Sequence, residues 1–168
     1  MTNSHPYSLR ALRPGDIGWI THRQGVLYYH EYGWDERFEA LCAEILARFV
    51  QHFDPMREKA WVAERNGEIV GAIFCVRKSK TVAQLRLLYV EASARGLGIG
   101  TRLVDECVAF ARAKGYRKMV LWTNSVLDSA RRIYEAKGFR LVKSERHHSF
   151  GKKLTGQYWE LDLRNASA

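Results

Sequence analysis

The stretch Arg95-Gly96-Leu97-Gly98-Ile99-Gly100 carries the strongest chemical signal in the sequence. It follows the apolar run Leu85 to Val90 and opens a helix-like segment, Thr101 to Lys114. Glycines let a backbone approach a ligand closely and turn its N–H groups toward it. The helix start behind them adds unpaired amide donors and the positive end of a dipole, a combination suited to phosphate. Two familiar phosphate loops fit poorly. A dinucleotide fingerprint needs a third glycine three positions after Gly98, where Thr101 stands. It also needs an acid at the end of the next strand, and that strand ends in Trp122-Thr123-Asn124. A triphosphate loop ends in Gly-Lys-Ser/Thr, whereas this one runs Gly100-Thr101-Arg102. A coenzyme A loop, or a plain strand-to-helix turn, remains.

The elements that must position this loop are readable from periodicity. Ser8 to Arg13 reads as a first strand ended by Pro14-Gly15, and Asp16 as the cap of a helix carrying Ile17, Ile20, Val26 and Leu27. The aromatic cluster Tyr28-Tyr29-His30-Glu31-Tyr32 follows. A second helix begins near Asp35, with Phe38, Leu41, Cys42, Ile45, Leu46 and Phe49 at helical spacing. Ala60 to Arg65 and Glu68 to Val76 read as strands joined by the hairpin dipeptide Asn66-Gly67. Val82 to Val90 continues the sheet. Ile99, Leu103, Cys107, Phe110 and Ala111 mark the helix behind the glycine loop. Met119 to Thr123 is a short strand, and Ser129 to Lys137 a short helix ended by Gly138. Phe139 to Val142 and Gln157 to Leu163 close the sheet. The order β-α-α-β-β-β-α-β-α-β-β describes an α/β domain with a mixed sheet.

Bulk composition narrows the class. A chain of 168 residues, 46% hydrophobic and 12% aromatic, supports one domain with one core. A formal net charge of +9 suits an anionic partner, but the charge is spread along the chain. With no reading helix or RNA-binding motif, nucleic acid is not the expected ligand. Cys42, Cys75 and Cys107 are far apart in apolar contexts, which predicts buried, reduced thiols, a cytoplasmic setting and no metal site. Met1 to Pro6 lacks a signal-peptide core, and no run of about 18 apolar residues occurs, so no membrane association is expected.

Two blocks carry a family resemblance. Leu87-Leu88-Tyr89-Val90-Glu91-Ala92-Ser93-Ala94-Arg95-Gly96-Leu97-Gly98-Ile99-Gly100 resembles the acetyl-CoA signature of the GNAT superfamily of N-acetyltransferases, whose core is Arg/Gln-x-x-Gly-x-Gly/Ala. Ala130-Arg131-Arg132-Ile133-Tyr134-Glu135-Ala136-Lys137-Gly138-Phe139 resembles the family's A-x-x-φ-Y-x-x-x-G-F block. The resemblance runs from about Leu9 to Leu163. Its N-terminal part, Leu12 to Trp19 through Glu31-Tyr32-Gly33-Trp34, resembles the acetyltransferase half of bacterial proteins that fuse a MarR-type DNA-binding regulator to such a domain. No winged-helix segment is present.

The resemblance implies the GNAT fold: a mixed central sheet of about seven strands, splayed in the middle, with about four helices. Residues 1–168 would form one acetyltransferase domain with a core of about residues 8–163. Acetyl-CoA would lie where Val82–Val90 and Met119–Thr123 part, as a cosubstrate and without metal. Backbone groups of Leu88, Tyr89 and Val90 would pair with its pantetheine arm. Amides of Arg95, Gly96, Leu97, Gly98, Ile99, Gly100 and Thr101 would hold the pyrophosphate, with the Arg95 guanidinium adding charge and the glycines leaving room. The implied reaction is direct transfer of acetyl to a primary amine of a small molecule, amino acid or peptide.

Tyr134 occupies the family's general-acid position. Many relatives carry an asparagine seven residues earlier, where this chain has Leu127; Asn124 is the nearest asparagine and is taken as a cofactor contact. Tyr29, His30, Glu31 and His148 are candidates for the acceptor pocket. His147 and His148 are neighbours on a strand, so at most one of them should face the site. An aromatic pocket beside Glu31 would suit a cationic amine or amino acid. The general base is not readable, and a homodimer stays open. A second reading is an acetyl-CoA sensor without turnover.

Overall fold

The computed structural model describes residues 6–164. In chain order the elements are β1 (Ser8–Arg10), α1 (Asp16–Tyr32), α2 (Glu36–Gln51), β2 (Lys59–Arg65), β3 (Glu68–Arg77), β4 (Val82–Val90), α3 (Ile99–Ala113), β5 (Lys118–Asn124), α4 (Asp128–Ala136), β6 (Arg140–Ser149) and β7 (Lys152–Asp162). A 3-10 turn, Ala92–Ala94, joins β4 to the glycine loop. The strands form one seven-stranded sheet in the order β1-β2-β3-β4-β5-β7-β6. Only β4 and β5 run parallel. This is the α/β fold expected from the sequence. The reading of Met1 to His5 as free of a leader lies outside the described residues.

Local chemistry explains most boundaries. Asn66 and Gly67 both have positive φ, 52° and 78°, the backbone a two-residue hairpin needs between β2 and β3. Asp35 caps α2 by accepting from the Arg37 N–H at 3.0 Å. Asp16, expected as the cap of α1, is instead its first residue. Gly15 takes the cap position with φ 95° and no side-chain bond. The buried Asp16 carboxylate turns back to accept from Arg10 Nη1 at 2.7 Å and from the Arg13 N–H at 2.8 Å.

The sheet is covered on both faces. Ile99, Leu103 and Cys107 of α3 and Tyr134 of α4 pack on one side, with Met119 and Leu121 of β5. Ile20 and Leu27 of α1 and Leu46 and Phe49 of α2 cover Val62 and Phe74 on the other. Gly71 of β3 makes the first contact possible, since a Cβ there would stand 2.9 Å from the Tyr89 carbonyl and 3.3 Å from Ile99. A smaller cluster, Trp34 with Phe150 and Leu154, ties the α1–α2 connection to the β6–β7 turn. All three cysteines are buried and unpaired. No helix among the described residues is long and apolar enough to cross a membrane.

The closing strands differ most from the sequence reading. Phe139 to Val142 and Gln157 to Leu163 are only parts of a long hairpin, Arg140–Ser149 against Lys152–Asp162. Residues 140–146 of β6 are all exposed. As an edge strand with both sides toward water, it carries no apolar alternation to detect. At the other edge, β1 stops at Arg10 rather than Arg13.

The feature that positions the site is a split between β4 and β5. They pair only at Val82–Lys118, Ala83–Met119 and Gln84–Val120. Above that, the β3–β4 register shifts between Ala72 and Phe74, and Leu87 takes a φ of 53°. A bulge of this kind bends its strand, and here β4 bends away from β5.

Candidate functional site

A cavity of about 290 Å³ opens at the top of this split. Leu88, Tyr89 and Val90 of β4 form one wall, and Arg95, Gly96 and Gly98 to Thr101 close one end. Tyr28, Glu31 and Tyr32 of α1 face them, with Ser129, Ala130 and Ile133 of α4 on the remaining side. Because Leu88 to Val90 have lost β5 as a partner, that edge of β4 is free to bond an extended ligand as a strand would.

The glycine loop presents amides to the cavity. Arg95 N–H still bonds the Ala92 carbonyl, and the first bond of α3 is Arg102 N–H to the Gly98 carbonyl at 3.0 Å. Between them, the N–H groups from Gly96 to Thr101 have no acceptor among the described residues. Gly96 and Gly98 adopt left-handed φ values of 87° and 76°, and a Cβ on either would enter open space. This is an anion cradle at a helix N-terminus. The cradle and the slot beside it fit a ligand with a pyrophosphate at one end and an amide-bearing arm at the other.

Gly100 has a different reason to be glycine. A Cβ there would meet Ile133 Cδ1 at 2.9 Å and Val90 at 3.6 Å, so the residue lets α4 approach α3. Gly100 still lines the cavity, as do Ile133 and Val90. Arg95 differs from expectation. Its guanidinium bonds the Glu31 carboxylate across the cavity, so its charge is shared with α1.

Leu97 packs against the core beside α3 and does not line the cavity. Asn124, expected as a cofactor contact, is buried on β5, does not line the cavity and accepts from His147 Nε2 at 2.9 Å. His147 Nδ1 stands 2.9 Å from Ser149 Oγ, so both ring nitrogens are engaged. His148 points the other way, exposed and close enough to act on Asp35. Strand alternation therefore directs His147, not His148, to this side. Tyr29 and His30 are exposed on the outer side of α1, and neither lines the cavity.

Tyr134 is buried in the α3–α4 core, 5.7 Å from the Phe139 ring. It sits behind the cavity lining and acts on the phenol of Tyr28, one of the cavity walls. Burial pushes the Tyr134 phenol above its ordinary value, so it stays protonated. Tyr28 and Tyr32 are cavity walls, yet they also stack within the cluster Trp34, Phe38 and Phe150. Packing and lining are the same residues here. Sequence reasoning missed the contribution of Ser129, Ala130 and Ile133. Their i, i+1, i+4 spacing beside Tyr134 was the available signal, since such residues share a helix face.

Residues 24–139 match the model of the Acetyltransferase (GNAT) family. N-acetylaspartate synthetase of Xenopus tropicalis is 34% identical over 89 residues, covering 52% of this chain and 33% of that protein. An uncharacterized N-acetyltransferase of Schizosaccharomyces pombe is 30% identical over 124 residues, covering 72% of this chain and 75% of that protein. The chain thus spans about a third of the N-acetylaspartate synthetases it matches. Among solved structures, yncA of Salmonella typhimurium with its cofactor acetyl-CoA superposes with a TM-score of 0.73 at 21% identity, over 97% of both chains. The Sinorhizobium meliloti phosphinothricin acetyltransferase in complex with acetyl-CoA gives 0.74 at 20% identity, over 94% of this chain and 89% of that one.

Proposed function

The chain belongs to the Acetyltransferase (GNAT) family, and on that premise we propose that it transfers the acetyl group of acetyl-CoA to a primary amine by direct attack. The observation that carries this reading is the row of unpartnered amides from Gly96 to Thr101, placed at the end of the slot where β4 leaves β5. Phosphate at the helix start and an extended arm along Leu88 to Val90 use both features at once. We read the whole of residues 1–168 as one transferase domain.

Acetyl-CoA, when bound, supplies a thioester whose C–S bond breaks as the amine nitrogen bonds to the carbonyl carbon, the electron pair leaving on sulfur. Backbone N–H groups of the Leu88–Val90 edge polarise the carbonyl. Tyr134, kept protonated by burial, is the proton donor to sulfur in this reading, its hydroxyl reaching the thiolate in the acetyl-CoA complex and regaining its proton from water after release. The proton of the amine goes to water, because the imidazole nearest the slot, His147, has both nitrogens committed. Glu31 holds Arg95 and with it the mouth of the cavity.

The acceptor is read as a small amine or amino acid. N-acetylaspartate synthetase among the relatives is named for an acetylated amino acid, which supports that class. The earlier picture of a cationic acceptor drawn by Glu31 loses support, since Arg95 already neutralises that carboxylate. A bacterial setting and kinship with MarR-fused domains rest on sequence resemblance, and a cytoplasmic one on the buried cysteines, while the relatives named above include frog and yeast proteins.

A second reading, an acetyl-CoA sensor with little turnover, is favoured by the burial of Tyr134 behind the lining. Steady-state release of free thiol over an amine panel, beside calorimetric binding of acetyl-CoA, separates the two. Thiol release with any acceptor supports the transferase. Tight binding without release supports the sensor, and no binding overturns both.

A further inference from the structure

Arg86 stands where the sheet opens. It is the next residue beyond Gln84 on the same face of β4, and Gln84–Val120 is the last rung joining β4 to β5. On its other side it pairs with Phe74 of β3, which lies under α2. Arg86 is half-buried. The charges that act on it are Arg48 and Glu44 of α2, which pair with each other at 3.8 Å.

Several other shielded arginines have acceptors. Arg10 bonds Asp16 and Glu64, Arg23 bonds Glu91, Arg57 bonds two backbone carbonyls, and Arg131 bonds the Ser125 carbonyl. Arg86 has none among the described residues, as is also true of Arg65 and of Arg102, which lies over the Tyr7 ring, and burial lowers the Arg86 pKa. A guanidinium with five donors, held partly out of water and unmatched, is costly unless something supplies the anion.

Across the split, Trp122 is the counterpart of Arg86, two residues beyond Val120 on the same face. It is 38% exposed and lies flat over Gly156 of β7, where a Cβ would come within 2.8 Å of Cζ2. His147 and Tyr158 flank it at 5.4 and 6.4 Å between ring centroids. The helices α1 and α2 cover β2 to β4 on this face but leave Trp122 and Tyr158 open. One side of the gap thus offers a cation, and the other an aromatic platform. Leu88, at the proposed acetyl site, follows Arg86 by two positions across the bulge at Leu87 and packs on the α3 face, while Arg86 shares the α2 face with its partner Phe74.

We propose that Arg86 is the carboxylate-binding residue of the acceptor subsite, and that the acceptor is a free amino acid whose apolar side chain lies on Trp122. This rests on the transferase reading above and names its substrate class.

The test uses matched acceptors that differ only by the carboxylate: phenylalanine and phenethylamine, tyrosine and tyramine, leucine and isoamylamine. Thiol release is expected to show kcat/KM about 100-fold higher for the amino acid of a pair, mainly through KM. Arg86→Met should erase that preference, and Arg86→Lys should restore part of it. Equal kcat/KM within every pair, or a preference that survives Arg86→Met, overturns the subsite while the transferase reading stands. Binding of the same pairs to the protein with coenzyme A, followed by tryptophan fluorescence, covers the other case. If no thiol is released but amino acids bind in an Arg86-dependent way, the transferase reading fails and the subsite stands. Carboxylate-independent binding together with no thiol release overturns both.

Discussion

The Arg95 guanidinium of the glycine loop is hydrogen-bonded to the Glu31 carboxylate of α1, so loop and helix are tied across the cavity. The side chains are 52% and 25% exposed, and a pair this wet adds about 1 kcal/mol or less to stability. Its consequence lies in binding. Glu31 competes with an incoming pyrophosphate for Arg95. Glu31→Gln is therefore expected to tighten acetyl-CoA binding a few-fold at low salt, with the gain fading as salt rises. Calorimetry at two ionic strengths checks this, and weaker binding in the variant would mean that the tie serves to hold the loop in place.

Gly98 and Gly100 should respond differently to substitution. Gly98→Asp puts a strained residue at φ 76° and a negative charge beside the free amides. Loss of measurable acetyl-CoA binding is expected. Gly100→Ala meets only the terminal methyl of Ile133, which can turn aside, and gains helix propensity of about 1 kcal/mol. Its stability should stay within about 1 kcal/mol of the parent and its acetyl-CoA affinity within about threefold. Equal loss of affinity in the two variants would contradict the separate roles.

Tyr134→Phe is expected to lower kcat by on the order of 100-fold while leaving acetyl-CoA affinity intact. Because burial raises the Tyr134 pKa, the parent enzyme should lose no activity to tyrosine ionisation as pH approaches the ordinary tyrosine value of about 10. Pre-steady-state thiol release against pH measures both. Unchanged turnover in the variant would remove Tyr134 from the reaction.

Asp16 sets an acid limit on stability. Burial alone would raise its pKa, but the hydrogen bonds from Arg10 and the Arg13 N–H prevail and hold it below the ordinary carboxylate value. Its contribution is therefore complete above the unfolded value of about 3.9 and is lost as pH falls through the lower folded value. Asp16→Asn should cost about 2 kcal/mol at neutral pH, because Arg10 loses one of its two carboxylate partners while keeping Glu64. The variant should also show a shallower fall in stability between about pH 4 and pH 2. Urea unfolding across that range tests it, and parallel pH profiles would assign the acid response to other groups.

Much of the fold was legible before any coordinates. The Asn66-Gly67 hairpin, the Asp35 cap and the spacing of Leu103, Cys107 and Ala111 encode local geometry, so neighbours in sequence suffice to read them. The closing hairpin was read short, because β6 lies at the sheet edge and its exposed residues carry no period. The glycine loop identified a phosphate cradle from residue types alone.

What the sequence could not decide were meetings between distant segments. Strand alternation said that one of His147 and His148 faces inward, but only the pairing of β6 with β7 brought His147 to Asn124. That a side chain at Gly100 would also meet Ile133, 33 positions away, shows only once α4 packs against α3. Nothing in the sequence marks Arg86; its lack of an acceptor shows only once β4 and β5 part beside it. Residue type and spacing set the chemistry that a short segment can perform, because backbone period and turn preference act over a few residues. Which groups are paired, buried or left free depends on contacts that close across the whole sheet, and only the tertiary fold supplies those.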